Sequence, residues 1–187
     1  MQYAPSFLQQ TYVGTRDEWN RKYNPTKATT LEGHVHYRSK VFSFSPGLTF
    51  TRLNDLVYFR FDNTSGDPQY VLPVQSNGTQ VIASPQARMS LTLFRRITLS
   101  GEGIYSNLLQ NDDQAVVVPD LFANGQIAYA NIFFHGNFDI QVGADIHWRS
   151  AYKAMGYDPV IQQFYRQDNF VTPAFAIVDV FFNMKIK

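Results

Sequence analysis

The chain has no cysteine in its 187 residues, which excludes disulfide staples and thiolate metal centres alike. It has no surplus of one charge either: sixteen Lys and Arg stand against fifteen Asp and Glu, leaving a net charge of +1. Without clustered positive charge there is no surface to track phosphates, so nucleic acid is not an expected partner. No apolar run approaches the ~20 residues that a membrane-spanning helix needs. That absence leaves β-barrels untouched, because a spanning strand takes about 9 to 11 residues and shows lipid only every second side chain. Met1-Gln-Tyr-Ala-Pro5 carries neither a basic nor an apolar stretch, so no secretory signal is expected in this chain. Composition shifts and low-complexity tracts are missing, and the length suits a single domain over 1–187.

What is present is alternation. Phe138, Ile140, Val142, Ala144, Ile146 and Trp148 interleave with Asp139, Gln141, Gly143, Asp145, His147 and Arg149. A period of two puts successive side chains on opposite faces of a strand, here one apolar and one polar. The pattern recurs over 28–38, 41–52, 84–94, 97–108 and 173–187, and strands are also expected over 4–13 and 121–133. Short connections at 39–40, 94–96 and 134–137 alternate with long polar ones at 14–27, 106–119 and 150–172. Outer-membrane barrels show this asymmetry, with tight turns on one side and long loops on the other. Within 53–83, residues 56–62 and 69–75 read as a hairpin broken by the turn formers of 63–68. The expected fold is therefore all-β: an antiparallel up-and-down transmembrane β-barrel, or a fragment of one, with about eight spanning strands plus an extracellular hairpin.

Alternation alone serves a soluble barrel with its apolar face inward as well as a membrane barrel with that face outward. The aromatics separate them. Tyr37, Phe42, Phe94, Tyr129, Phe138, Trp148 and Tyr152 fall close to strand ends, where interfacial girdles lie. The opposite phase then lines a lumen. It comprises Glu32, His34, His36 and Arg38, then Arg88, Glu102 and Gln126. Further along it continues with Asp139, Gln141, Asp145, His147 and Arg149, and ends with Asp179 and Lys185. Mixed signs give such a lining a transverse field and little net ion preference. In a barrel of only eight strands the same groups would fill the bore as a plug.

Readings of these residues as chemistry are weaker. His34 and His36 form an i, i+2 pair that needs further ligands in space, and no metal site is expected. Asp145 and His147 share a face, but no nucleophile is placed by spacing, and Ser90 and Ser100 lack any elbow motif. Gly101-Glu-Gly103 lies within a strand pattern and is no phosphate loop. Asp112-Asp113 reads as loop solvation. No enzyme activity and no cofactor are expected.

Several stretches resemble a known family. Pro119-Asp-Leu-Phe-Ala-Asn124, Gln141-Val-Gly-Ala-Asp145, Tyr152 and Gly156-Tyr-Asp-Pro159 carry the likeness, with Gln163-Phe-Tyr-Arg-Gln167 and Val178-Asp-Val-Phe-Phe-Asn-Met-Lys-Ile-Lys187. Phe7-Leu-Gln-Gln-Thr-Tyr12 and Trp19-Asn20 add to it. Together they resemble the C-terminal region of the putative-porin family of Bacteroidetes-type Gram-negative bacteria. The resemblance implies an outer-membrane barrel, here the C-terminal part of a longer one, acting as a channel for passive diffusion of small polar solutes. Its partners would be outer-membrane lipid, those solutes and, by analogy with porins generally, copies of itself in a homo-oligomer. The rival expectations are a soluble lipocalin-like barrel around an apolar ligand, a non-conducting membrane barrel, and an outer-membrane barrel enzyme.

Overall fold

A computed structural model describes residues 1–14, 18–61 and 71–186. Seven long strands form one antiparallel sheet in chain order: β1 Thr26–His34, β2 Phe42–Asn54, β3 Thr79–Leu93, β4 Ile97–Tyr105, β5 Leu121–Phe133, β6 Phe138–Arg149 and β7 Phe175–Ile186. Each pairs with its neighbours in sequence, which is the up-and-down order that tight turns and long loops dictate. Gln2–Tyr3 pairs with the free side of β1, and Asn107–Asn111 continues the line of β4 along β3. Among the described residues the outer edges of β1 and β7 do not pair with each other, so the sheet stays open.

Two departures from the expected spans have local causes. Residues 4–13 are not a spanning strand. Ser6 accepts from the Gln9 backbone N–H while the Gln9 side chain accepts from the Ser6 N–H, a capping box that nucleates one helical turn at Phe7–Gln10. The expected strand over 28–38 breaks at 35–36, yet its register runs straight through, since His34 pairs Gly47 and Tyr37 pairs Phe44. The residue opposite Val35 is Pro46. Its carbonyl accepts from the Val35 N–H at 3.0 Å, but its ring nitrogen has no hydrogen to return.

The expected hairpin is present as Val57–Phe61 paired with Val71–Gln75, and its turn at 63–68 lies outside the described residues. Around it the long connections pack into a cap at the loop end of the sheet. Trp19, Phe59, Val71 and Ile161 form the buried cluster, with Leu8, Tyr12 and Tyr165 against it. The Tyr12 and Trp19 rings stack at 4.7 Å, and Trp19 Nε1 donates to the Leu8 carbonyl at 2.9 Å. Tyr23 Oη donates to the Pro73 carbonyl at 2.6 Å, and Gln75 Nε2 donates to the Asn24 and Asp55 carbonyls at 2.7 and 2.8 Å, pinning the hairpin to the strand ends.

The sheet contributes little to this core. Of its apolar face, Leu31, Leu48, Val178, Val180 and Ile186 are exposed, Val180 to 78%. A soluble monomer rarely leaves more than a few hundred Å² of contiguous apolar surface open. The described residues supply no cover for this face.

Candidate functional site: a polar face across seven strands

Register assigns every expected lining residue to one side of the sheet. Glu32 lies opposite Thr49, Arg38 opposite Ser43, Arg88 opposite Glu102, Gln126 opposite Asp145 and Asp139 opposite Lys185, and paired residues share a face. His34, His36, Gln141, His147, Arg149 and Asp179 follow by the two-residue repeat. That face is concave around Glu32, His34, His36, Arg88, Ser100 and Glu102, where it borders an open depression of about 670 Å³. Toward the tight turns, Arg96, Asp139, Gln141, Asn183 and Lys185 border a second depression of about 650 Å³.

At mid-height the register places Arg88, Glu102, Asn124 and His147 in a row on β3, β4, β5 and β6. Their side chains connect. Arg88 Nε and Nη2 donate to Glu102 Oε2 at 2.9 and 2.6 Å, and Asn124 Nδ2 donates to Glu102 Oε1 at 3.1 Å. With its amide nitrogen committed to the carboxylate, Asn124 presents Oδ1 to His147 Nδ1 at 2.7 Å, so His147 carries its proton on Nδ1. His147 Nε2 then faces Asp179 Oδ2 on β7 at 3.9 Å. Gln126 Nε2 donates to Asp145 Oδ1 at 2.8 Å, and on β2 Ser45 Oγ lies 2.5 Å from His36 Nδ1. These groups are largely solvated, so each surface pair adds at most about 1 kcal/mol. Their effect is to hold charges at fixed points along the wall.

Asn124 is not among the residues the sequence points to, although it sits two residues before Gln126 in the same phase of β5. Alternation between Ala123 and Gly125 is the signal that finds it. Phe122 and Phe175 were not picked out either. Both lie on the polar face, flanking Arg149 in the row nearest the loops.

The girdle candidates divide by height. Tyr37, Phe42, Tyr129 and Phe138 lie on the apolar face near the tight turns, and Phe94 lies in the turn itself with φ 51°. Trp148 marks the loop end of the same face. Ten residues separate Phe138 from Trp148, roughly 33 Å along a strand and about 25 Å once tilted by some 40°, the height of an outer-membrane apolar band. Tyr152 departs from its expected place. Its hydroxyl accepts from Arg149 Nη1 at 3.3 Å, which seats its ring beside the polar face rather than along the outward one.

The loop cap has its own fastening. Arg166 Nη1 and Nη2 donate to the two oxygens of Asp168 at 2.6 and 2.9 Å, and Lys153 Nζ reaches Asp168 Oδ1 at 2.8 Å. Arg166 also donates to Gln114 Oε1 at 2.5 Å, and its backbone N–H donates to the Phe59 carbonyl at 2.7 Å. One residue thus ties three connections together. Hydrogen bonds from Arg166 and then Lys153 hold the Asp168 carboxyl well below the usual carboxylate range.

Asp112 and Asp113 are equally engaged: Asp112 Oδ2 accepts from the Thr79 N–H at 2.8 Å and Asp113 Oδ2 from Ser76 Oγ at 2.9 Å. Among the described residues no group of three His, Asp or Glu side chains is placed to hold a metal ion.

Against known families, residues 1–187 match the model described as "Putative porin". The chain belongs to that porin family. No curated protein matches its sequence. Among solved structures, 96% of the chain aligns with 27% of the copper transporter OprC at a TM-score of 0.68 and 14% identity. The siderophore receptor PirA from Acinetobacter baumannii aligns with 87% of the chain over 26% of its own length, at a TM-score of 0.54 and 12% identity. The porin-family chain therefore spans about a quarter of the length of either structure. At such identities the likeness shows the fold, that of an outer-membrane β-barrel. Family and fold together point to the outer membrane and to a transport-related barrel.

Proposed function

We propose that this chain forms part of the wall of a single larger outer-membrane barrel through which small polar solutes diffuse passively. The observation that carries the reading is the division of one sheet into an exposed apolar face and a concave polar face carrying a fixed hydrogen-bonded row. On that lining Glu32, Glu102, Asp139, Asp145 and Asp179 stand against Arg38, Arg88, Arg149 and Lys185, five acidic groups to four basic. A wall of such balanced charge filters by size and dipole more than by ionic sign. Outer-membrane lipid covers the other face.

The mechanism needs no covalent step. Among the described residues Ser90 and Ser100 have no histidine at hydrogen-bond distance, and Nδ1 of His147 faces the Asn124 amide.

The test is conductance of the full-length protein in planar bilayers, with mobility of the unboiled protein on gels to report a folded barrel. Stable discrete steps with a weak preference between potassium and chloride are expected. A folded, heat-modifiable barrel that passes no current would overturn the reading and leave a non-conducting barrel, whereas folding in detergent-free buffer would restore the soluble alternative.

A further inference from the structure

Arg149, in the row nearest the loops, is held unlike the charges of the mid-height row. Arg88 is forked onto Glu102, whereas Arg149 has no carboxylate partner among the described residues. It is propped by rings instead. Its guanidinium carbon lies 4.4 Å from the centroid of Phe175 and 5.2 Å from that of Tyr152, whose hydroxyl accepts from Nη1 at 3.3 Å. Its Nε is shielded from solvent and has no hydrogen-bond partner among the described residues. On the other flank Phe122, the register partner of Arg149 on β5, is 40% exposed on the polar face. Phe175, its partner on β7, is 39% exposed.

Large apolar rings facing a hydrated lumen are unfavourable unless something covers them, and a guanidinium held by two rings and one hydroxyl keeps most of its donors available. The row therefore offers a fixed cation between two apolar surfaces at the loop-side entrance. The matching chemistry is an anion on an apolar body. Glu102, Asp145 and Asp179 lie within the next rows, Asp145 being four residues or roughly 13 Å further along β6. A single guanidinium suits one negative charge there, and a dianion such as phosphate meets the repulsion of those carboxylates.

We propose that Arg149, propped by Tyr152 and Phe175 and flanked by Phe122, is a subsite for organic monocarboxylates with an apolar body, taken up at the loop-side entrance of the lumen. The assignment rests on the lumen reading given above. The carboxylate meets the outer donors of the guanidinium, and the apolar body lies on Phe122. Tyr152 and Phe175 act as positioning residues.

The test is saturation-transfer NMR on the full-length protein in lipid nanodiscs, with 3-phenylpropionate as probe, 3-phenylpropanol as its uncharged counterpart and empty nanodiscs subtracted. The acid is expected to bind and the alcohol to bind at least about fivefold more weakly. Arg149→Gln is expected to remove that difference while keeping the folded mobility of the unboiled protein. Phe175→Ala is expected to weaken the acid severalfold with the charge retained. Inorganic phosphate at equal concentration is expected not to displace the probe. Equal binding of acid and alcohol, unchanged binding in Arg149→Gln, or displacement by phosphate would each overturn the proposal. Bilayer recordings separate its failure from that of the pore: binding without conductance overturns the pore alone, and conductance without binding overturns the subsite alone.

Discussion

Gly143 lies on the polar face of β6 between Ala128 of β5 and Phe181 of β7, and the Phe181 ring covers it. A methyl group at this position would lie 2.5 Å from Phe181 Cζ, and nearer still to the Ile127 carbonyl oxygen than real Cβ atoms come. The ring can swing aside. The carbonyl belongs to the β5–β6 ladder, so it moves only if the strands part. Overpacking of this kind costs about 1–3 kcal/mol, while replacing glycine in a strand by alanine returns about 0.5–1 kcal/mol of backbone entropy. Gly143→Ala is therefore expected to destabilise the folded barrel by about 1–2 kcal/mol. The assay is the denaturant midpoint of the full-length protein in lipid vesicles, read by loss of the fast-migrating unboiled band. Phe181→Leu in the same background relieves the ring contact and not the carbonyl contact, so it should restore part of the loss. Gly33, on the outward face, meets nothing within 4 Å, and Gly33→Ala should be neutral or slightly stabilising. A Gly143→Ala protein as stable as the parent would refute the close approach and the register that creates it.

Other outcomes follow from the same structure. Val180→Arg on the apolar face should cost about 2–4 kcal/mol if it lies near the bilayer midplane, while Asn183→Arg on the polar face should fold normally; refolding yields in vesicles compare the two. Arg88→Gln should change stability by less than about 1 kcal/mol but shift the reversal potential in a salt gradient toward cation preference, because Glu102 is left uncompensated. Trp19→Ala should loosen the cap without unfolding the sheet, seen as faster proteolysis near 18–20, 57–61 and 71–75 with the unboiled gel band intact. Because Arg166 and Lys153 depress the carboxyl of Asp168 in the folded state, its contribution is fully present above the ordinary carboxylate range near pH 4 and is lost as pH falls toward its own lower value. Cap proteolysis should accordingly be flat from pH 8 to 5 and rise only below about pH 4, and Asp168→Asn should remove that acid dependence.

Much of the sheet was legible because period two is a local property: the phase of β6 and β7 is readable from their own residues. Register is not local, and the row of Arg88, Glu102, Asn124 and His147 joins residues from four strands that only pairing brings level. Alternation places Asn124 on the polar phase of β5, but only the pairing shows that it bridges Glu102 and His147. Residues 4–13 misled because the aromatic-rich stretch has strand propensity, while the Ser6–Gln9 capping box and burial of Trp19 against Phe59 settle its conformation through local and tertiary contacts. Tyr152 misled in a similar way. Proximity to Trp148 in sequence suggests the girdle, but past the end of β6 Tyr152 lies against the Arg149 guanidinium.

The central claim, that one face of this sheet meets lipid and the other a water-filled lumen, is tested most directly by spin labels placed singly from 139 to 148 along β6. Accessibility to oxygen should peak at 140, 142, 144, 146 and 148, and accessibility to a water-soluble nickel chelate at 139, 141, 143, 145 and 147. The opposite phase, or chelate access at both sets, would contradict the account.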